Sequence, residues 1–330
     1  MAVMLGYEAL NGVLGMRDAI DLLEAVLSHE AAGKTSVSPK FVTDFTGGAM
    51  RMLFAADHQA GYCATKAYHS IQGAGTRYVV TLYRLKDGEM LAVLDGQLIT
   101  DLRTGAASGV AARRVPIAGP VSVGVIGSGH QAHTQLESLA SVYRVESAAV
   151  YSPTAAHREA YAKVMSAKLG IPVTAVATAE AAARGRTVVA SASSARGSEP
   201  VLRGEWLGSC RLLCAVGNTR AKFAEADVRC FQDASLVIMD TSHAIEEAGE
   251  LRRAVEAGAL PEAKRALLGQ VVTGAVPVPK DGLIVFKSVG SALQDLALAA
   301  RYYELLGTRA GLPAATDVAS LKRPVGTRGV

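Results

Sequence analysis

Residues 121–143 read VSVGVIGSGHQAHTQLESLASVY. Branched apolar Val123, Val125 and Ile126 run straight into Gly127-Ser128-Gly129-His130-Gln131-Ala132, and a helix-like segment follows. This is the strand–turn–helix order of a dinucleotide site. Gly127 suits the tight turn, Gly129 lets the backbone approach a pyrophosphate, and Ala132 is small enough for helix and strand to pack. The free N–H groups at the helix start would face the phosphates. Gly127, Ser128, Gly129, His130, Gln131 and Ala132 are therefore candidate cofactor contacts. A lone GxGxxA pattern is weak, since glycine-rich turns are common; the flanking strand and helix strengthen it.

Working outward, some 120 residues precede this unit, which makes the nucleotide fold the second module of a 330-residue chain. Strand and helix alternate beyond it: AAVYS (148–152), a helix near 155–169, VVASAS (188–193), RLLCAVG (211–217) and LVIMD (236–240). That rhythm predicts a Rossmann-type, doubly wound parallel sheet. Before it, residues 15–33 show helical spacing ended by Gly33, and 50–56, 61–68, 78–85 and 89–95 read as strands. Lys86-Asp87-Gly88 is a hairpin signature, so an antiparallel sheet is expected there. Gly73-Ala74-Gly75 reads as a loop, and 100–114 as an Ala- and Gly-rich helix. Pro116 to Pro120 mark a boundary. Residues 283–306 read as a last strand, a turn and an amphipathic helix that packs back on the first module. The expected organisation is an α/β chain with a dinucleotide-binding domain at 119–290. An α+β substrate-binding and dimerisation domain would comprise 1–118 and 291–330.

Half the residues are hydrophobic and 19% charged, which describes a folded chain. The net charge of +4 is spread without a basic run, so nucleic acid is not an expected partner. No apolar stretch nears the ~20 residues that span a bilayer, so no membrane is expected either. The N-terminal MAVMLGYEAL lacks a secretory layout. Cys63, Cys210, Cys214 and Cys230 form no metal pattern and read as reduced thiols in a cytoplasmic protein. His130 and His133 have no third ligand nearby, so no metal is implied.

Several dispersed segments resemble the ornithine cyclodeaminase and mu-crystallin family over about residues 15–306. They are Leu102-Arg103-Thr104-Gly105-Ala106-Ala107-Ser108, Gly124 to Gly129, Ser191-Ala192-Ser193, Ala215-Val216-Gly217, Phe286-Lys287-Ser288-Val289-Gly290 and Gln294-Asp295-Leu296. The resemblance implies a homodimer and hydride transfer at the alpha carbon of a small amino acid, imino acid or keto acid. It implies cofactor contacts at Thr104, Ser191, Ala192, Val216, Gly217, Ser288 and Gly290. Lys66, in CATKAYHS, matches the family's active-site lysine, which would polarise the substrate or relay a proton. Arg51 and Arg103 match carboxylate-binding arginines. Lys40 stands where relatives often have another such arginine, although lysine lacks the bidentate fork.

Departures narrow the activity. The turn Gly217-Asn218-Thr219-Arg220 lacks the acidic residue that cyclodeaminases carry there. Arg51 replaces a glutamate and Lys287 an aspartate of the cyclodeaminases, so no base for ornithine cyclisation is evident; Asp44 or Asp57 would have to fill that role. The expectation is a reductase of cyclic or linear ketimine acids, or an alanine-type dehydrogenase. The alternatives are a cyclodeaminase and a crystallin-like NADPH- or small-ligand-binding protein with little turnover. At the end of the second nucleotide-fold strand, Ser152 and Thr154 stand where NAD enzymes usually have an acid, with His157 and Arg158 following. NADPH is therefore expected in preference to NADH.

Overall fold

The computed structural model describes residues 2–194 and 199–308. Its strands are β1 (Val3–Leu5), β2 (Thr35–Val37), β3 (Phe41–Phe45), β4 (Gly48–Asp57), β5 (Tyr62–Ile71), β6 (Gly75–Arg84), β7 (Met90–Asp95), β8 (Val121–Ile126), β9 (Val145–Tyr151), β10 (Val173–Ala175), β11 (Val188–Ser191), β12 (Leu212–Ala215), β13 (Ala234–Met239), β14 (Arg265–Leu267) and β15 (Leu283–Lys287). The last eight form one all-parallel sheet in the order β10-β9-β8-β11-β12-β15-β13-β14. The apolar runs of β8, β11, β12 and β15 are buried on both faces, as a sheet covered by helices on each side requires. The chain reverses its direction of winding between β8 and β11. Their carboxyl ends therefore open on the crevice where such sheets bind ligands.

The first sheet runs β1-β7-β6-β5-β4-β2, with β3 also paired to β4. It is antiparallel except for β1, which lies parallel to β7. The glycines at 73 and 75 form the tip of the β5–β6 hairpin, both with positive φ. The helix expected at 100–114 spans Gly96–Arg113. It starts earlier because Asp95 caps it, accepting a 2.9 Å bond from the Leu98 amide. The terminal helix Ala292–Leu306 packs against β4 and β5 and against the helices Met16–Ala31 and Gly96–Arg113. Its first turn thus arrives at the cleft between the two sheets. The tail of the chain expected to belong with the first domain, residues 309–330, lies outside the described residues. None of the described helices is long and apolar enough to cross a membrane.

Candidate active site

β5 builds one wall of a cavity of about 310 Å³. Alternation places Lys66, Tyr68 and Ser70 on one strand face. Opposite stand Val216, Gly217, Asn218 and Thr219 after β12, with Ser288, Val289 and Gly290 after β15. Lys40, Arg51, Lys66, Arg103, Thr104, Gln131, Val216, Gly217, Ser288 and Gly290 all line this cavity, so ten sequence-derived candidates meet there.

Lys66 is almost completely buried, and its Nζ donates to Thr100 Oγ1 at 2.6 Å and to Asp295 Oδ1 at 2.7 Å. Burial pulls its pKa down to about 8; Asp295 opposes that fall and Arg103 adds to it. The lysine stays charged at neutral pH yet holds its proton loosely. Arg103 Nε donates to the same Asp295 oxygen at 3.4 Å, and its Nη1 to Gln294 Oε1 at 3.3 Å. Tyr68, with its pKa pushed up to about 12 by burial, remains a neutral phenol. A Cβ on Gly290, whose φ is +86°, would stand 2.8 Å from Arg103 Nη1. Asp240 holds that turn in place by accepting from Ser288 Oγ (2.6 Å), the amides of Val289 (3.0 Å) and Gly290 (2.9 Å), and Gln294 Nε2 (3.3 Å).

The glycine turn lies beside this cavity and fits a dinucleotide. Gly127 has φ +109°, and a Cβ there would fall 2.5 Å from the Ala192 carbonyl oxygen. A Cβ on Gly129 meets nothing within 4 Å, which is the open cradle a pyrophosphate needs. The helix His130–Val142 has no acidic residue in its first turn, leaving its positive end free for an anion. Ser191 Oγ, fully buried at the end of β11, has no hydrogen-bond partner among the described residues. Ala132 is buried, and its carbonyl accepts from Tyr161 Oη at 2.9 Å. Ser128 Oγ donates to Ser152 Oγ at 3.0 Å, linking the turn to the end of β9. Thr154 is exposed there, and Arg158 Nη1 donates to the carbonyls of Ser152 (3.0 Å) and Pro153 (3.4 Å). Its guanidinium is thus partly engaged rather than wholly free. His130 points outward near Asp101, while His133 bonds the Gly129 carbonyl and packs on Tyr161. All four cysteines are free thiols.

Three expectations change. Lys40 is not an open carboxylate clamp: it is ion-paired with Glu247 and donates to the Val289 carbonyl at 3.4 Å. Lys287 does not line the cavity. It is fully buried behind the 217–223 loop, 2.8 Å from Glu250, and donates to the Asn218 carbonyl at 2.6 Å. Asp57 caps the far end of β4, bound to His29 and to the amides of Gln59 and Ala60, and cannot serve this cavity. Asp44 borders only the groove outside.

Sequence reasoning assigned no role to Asp295, Asp240 or Glu225. Asp295 sits in a segment quoted for its resemblance, and its place in the first turn of the last helix was the available signal. Glu225 ties two strand ends together, accepting from the amides of Ser193 at 2.5 Å and Gly217 at 2.9 Å.

Similar proteins carry the same architecture. An alanine dehydrogenase from Archaeoglobus fulgidus is 30% identical over 315 residues, covering 92% of this chain and 94% of its own. The structure of Thermococcus litoralis Delta(1)-pyrroline-2-carboxylate reductase in complex with NADH and L-proline superposes with a TM-score of 0.85. It is 26% identical and covers 92% of this chain and 96% of that one. An archaeal alanine dehydrogenase dimer with bound NAD gives 0.83 at 27% identity, covering 92% and 95%. The family model matches residues 2–308, and the chain belongs to the ornithine cyclodeaminase/mu-crystallin family.

Proposed function

We propose that this protein is an oxidoreductase that reduces an alpha-imino or alpha-keto acid to the amino acid, using NADPH in preference to NADH. The observation that carries this reading is the buried Lys66–Asp295–Arg103 cluster sharing one cavity with Gln131 of the nucleotide helix and with Val216, Gly217, Ser288 and Gly290 at the strand ends of the nucleotide fold. When bound, the reduced nicotinamide supplies the hydride. Arg103, with its planar fork, receives the substrate carboxylate, and Arg51 stands further along the same wall. Lys66 holds a proton at its Nζ and delivers it to the imine nitrogen, a keto acid first condensing with ammonia and losing water, with Asp295 and Thr100 fixing its direction. Thr104, Ser191, Ala192, Val216, Gly217, Ser288 and Gly290 would surround the nicotinamide. Ser152, Thr154 and Arg158 would meet the adenosine ribose, with Ser152 and Thr154 in place of the acid that would repel a 2′-phosphate.

The roles divide between residues 1–118 with the terminal helix, which carry substrate groups, and 119–290, which carry nucleotide groups. Phe41, Phe45 and Phe54 expose an apolar face on β3 and β4 that supports a homodimer. The four free thiols fit a cytoplasmic setting.

Nucleotide oxidation, followed with NADPH and with NADH over pyruvate plus ammonia or methylamine, pyrroline-2-carboxylate and piperideine-2-carboxylate, tests this reading. Ornithine with catalytic NAD, assayed for proline and ammonia, runs beside it. Proline formation matching any reductase rate would overturn the reading. Gly129→Asp is expected to leave the unfolding midpoint near that of the wild type, because its Cβ enters open space at φ −82°. The same change should abolish nucleotide binding in a fluorescence titration, since a carboxylate would occupy the pyrophosphate cradle.

A further inference from the structure

The cavity opens outward into a groove of about 1090 Å³. Among the described residues, Lys40, Arg51, Ser70, Thr76, Thr219 and Arg220 border both spaces and so ring the neck between them. The first four belong to the first sheet and its β2–β3 connection, the last two to the loop after β12. An ion pair spans this neck. Lys40 Nζ reaches Glu247, at the end of the short helix Ala244–Glu247 after β13, and also donates to the Val289 carbonyl at 3.4 Å. Lys40 borders the cavity and the groove, whereas Glu247 borders the groove and not the cavity. The pair therefore joins the first sheet to the parallel one where the cavity ends and the groove begins.

The segment that carries Glu247 frames the whole mouth. Asp240, at its start, accepts from the Ser288 hydroxyl and from the Val289 and Gly290 amides. Glu250, at its end, accepts from Asn218 Nδ2 at 2.5 Å and stands beside Lys287. These three carboxylates thus hold the 288–290 turn, the first sheet and the 217–223 loop. Asp240 and Glu250 are almost completely buried, and their partners are part of the wall itself. The Glu247 side chain is 18% exposed, and Lys40 carries its charge on a flexible four-carbon stem. Of the three contacts, this one can part without dismantling the wall.

What it closes off is a matter of size. The cavity holds about 310 Å³, and Val216, Gly217, Ser288 and Gly290 are among its walls. A nicotinamide ring placed among them leaves room for a small acid, so a longer side chain has to run through the neck into the groove. Each methylene that a pocket admits or excludes changes kcat/KM by about 10- to 200-fold.

We propose that Lys40 and Glu247 form a clasp that closes the mouth of the cavity and limits the substrate to short side chains, so that Glu247 is a specificity-determining residue. The clasp takes its reaction from the reductase reading and its geometry from the ion pair across the neck.

The test compares ammonium-dependent nucleotide oxidation with pyruvate and with phenylpyruvate in the wild type, Glu247→Ala and Glu247→Gln. The wild type should favour pyruvate. Glu247→Ala should raise the phenylpyruvate-to-pyruvate ratio of kcat/KM by about tenfold or more, chiefly through a lower KM for phenylpyruvate. Lys40→Ala, which opens the clasp from its other end, should shift the ratio in the same direction. Glu247→Gln keeps the reach and an acceptor oxygen for Lys40, so its ratio should stay close to that of the wild type. An unchanged ratio in Glu247→Ala overturns the proposal. So does an equal loss on both acids, which would make the pair a support of the wall. Calorimetric titration with propionate and 3-phenylpropionate, with and without NADPH, separates the clasp from the reductase reading. Binding of 3-phenylpropionate about tenfold tighter in Glu247→Ala than in the wild type supports the clasp even where no oxo acid is reduced. Equal affinity in the two proteins overturns it.

Discussion

Lys66→Met is expected to lower kcat by about 10²- to 10⁴-fold while leaving nucleotide affinity close to the wild-type value. In the proposed reaction the lysine is the proton source, whereas the glycine turn lies on the other sheet. The variant should still fold: methionine suits a buried position, and Asp295 keeps its contact with Arg103 at 3.4 Å. Stopped-flow reduction of an imine or keto acid, with nucleotide titration alongside, reads both quantities. The wild-type pH profile carries the same information. With the Lys66 pKa lowered to about 8, the protonated fraction falls as pH rises through that value, so the reductive rate should decline above about pH 8. Absence of that limb, or an unimpaired methionine variant, would remove Lys66 from the proton path. Arg103→Lys should instead raise KM, because a point charge replaces a fork.

Lys287→Met is expected to destabilise the fold more than any of the substitutions at the cavity wall. Lys287 and Glu250 are both fully buried, 2.8 Å apart. The ammonium directs its hydrogen bond to the Asn218 carbonyl, and Glu250 Oε1 is held by charge rather than by a directed hydrogen bond. The other carboxylate oxygen accepts from Asn218 Nδ2 at 2.5 Å. Removing the cation strands a buried carboxylate and frees a buried carbonyl, at a cost of about 3–5 kcal/mol. Against a typical total of about 5–15 kcal/mol, that is a large fraction. A urea titration should show a lower midpoint with an unchanged slope. The loop bearing Asn218, Thr219, Arg220 and Phe223 rests on this pair, so KM should rise as well. A midpoint equal to the wild type would show that the pair does not support the loop.

The parallel sheet was readable because its strands are apolar runs separated by helical stretches, and each signal lies within one short segment. The β6–β7 hairpin was readable from Lys86-Asp87-Gly88, and strands β4 to β7 were readable within a few residues at their ends, whereas Gly73-Ala74-Gly75 read as a loop and is the tip of a hairpin. Strands β1, β2 and β3 carry no such signal. They are three to five residues long, and β3 is exposed throughout, so no burial alternation marks it. Lys40 and Lys287 show a different limit. Each occupies a position whose residue type was informative, yet each is neutralised by a glutamate that nothing in its own neighbourhood announces.

The amino-acid sequence by itself determined the strand–turn–helix of the nucleotide fold, the order of the elements and the residue types at the cleft. All of these depend on backbone preferences and on neighbours along the chain. Only the tertiary structure decided which charges are free to meet a ligand. Asp295 reaches Lys66 from 229 positions away, and Glu247 reaches Lys40 from 207, while Arg51 finds an aromatic ring and a hydroxyl but, among the described residues, no acid. Electrostatic pairing follows distance and burial in space, and neither can be read from separation along the chain.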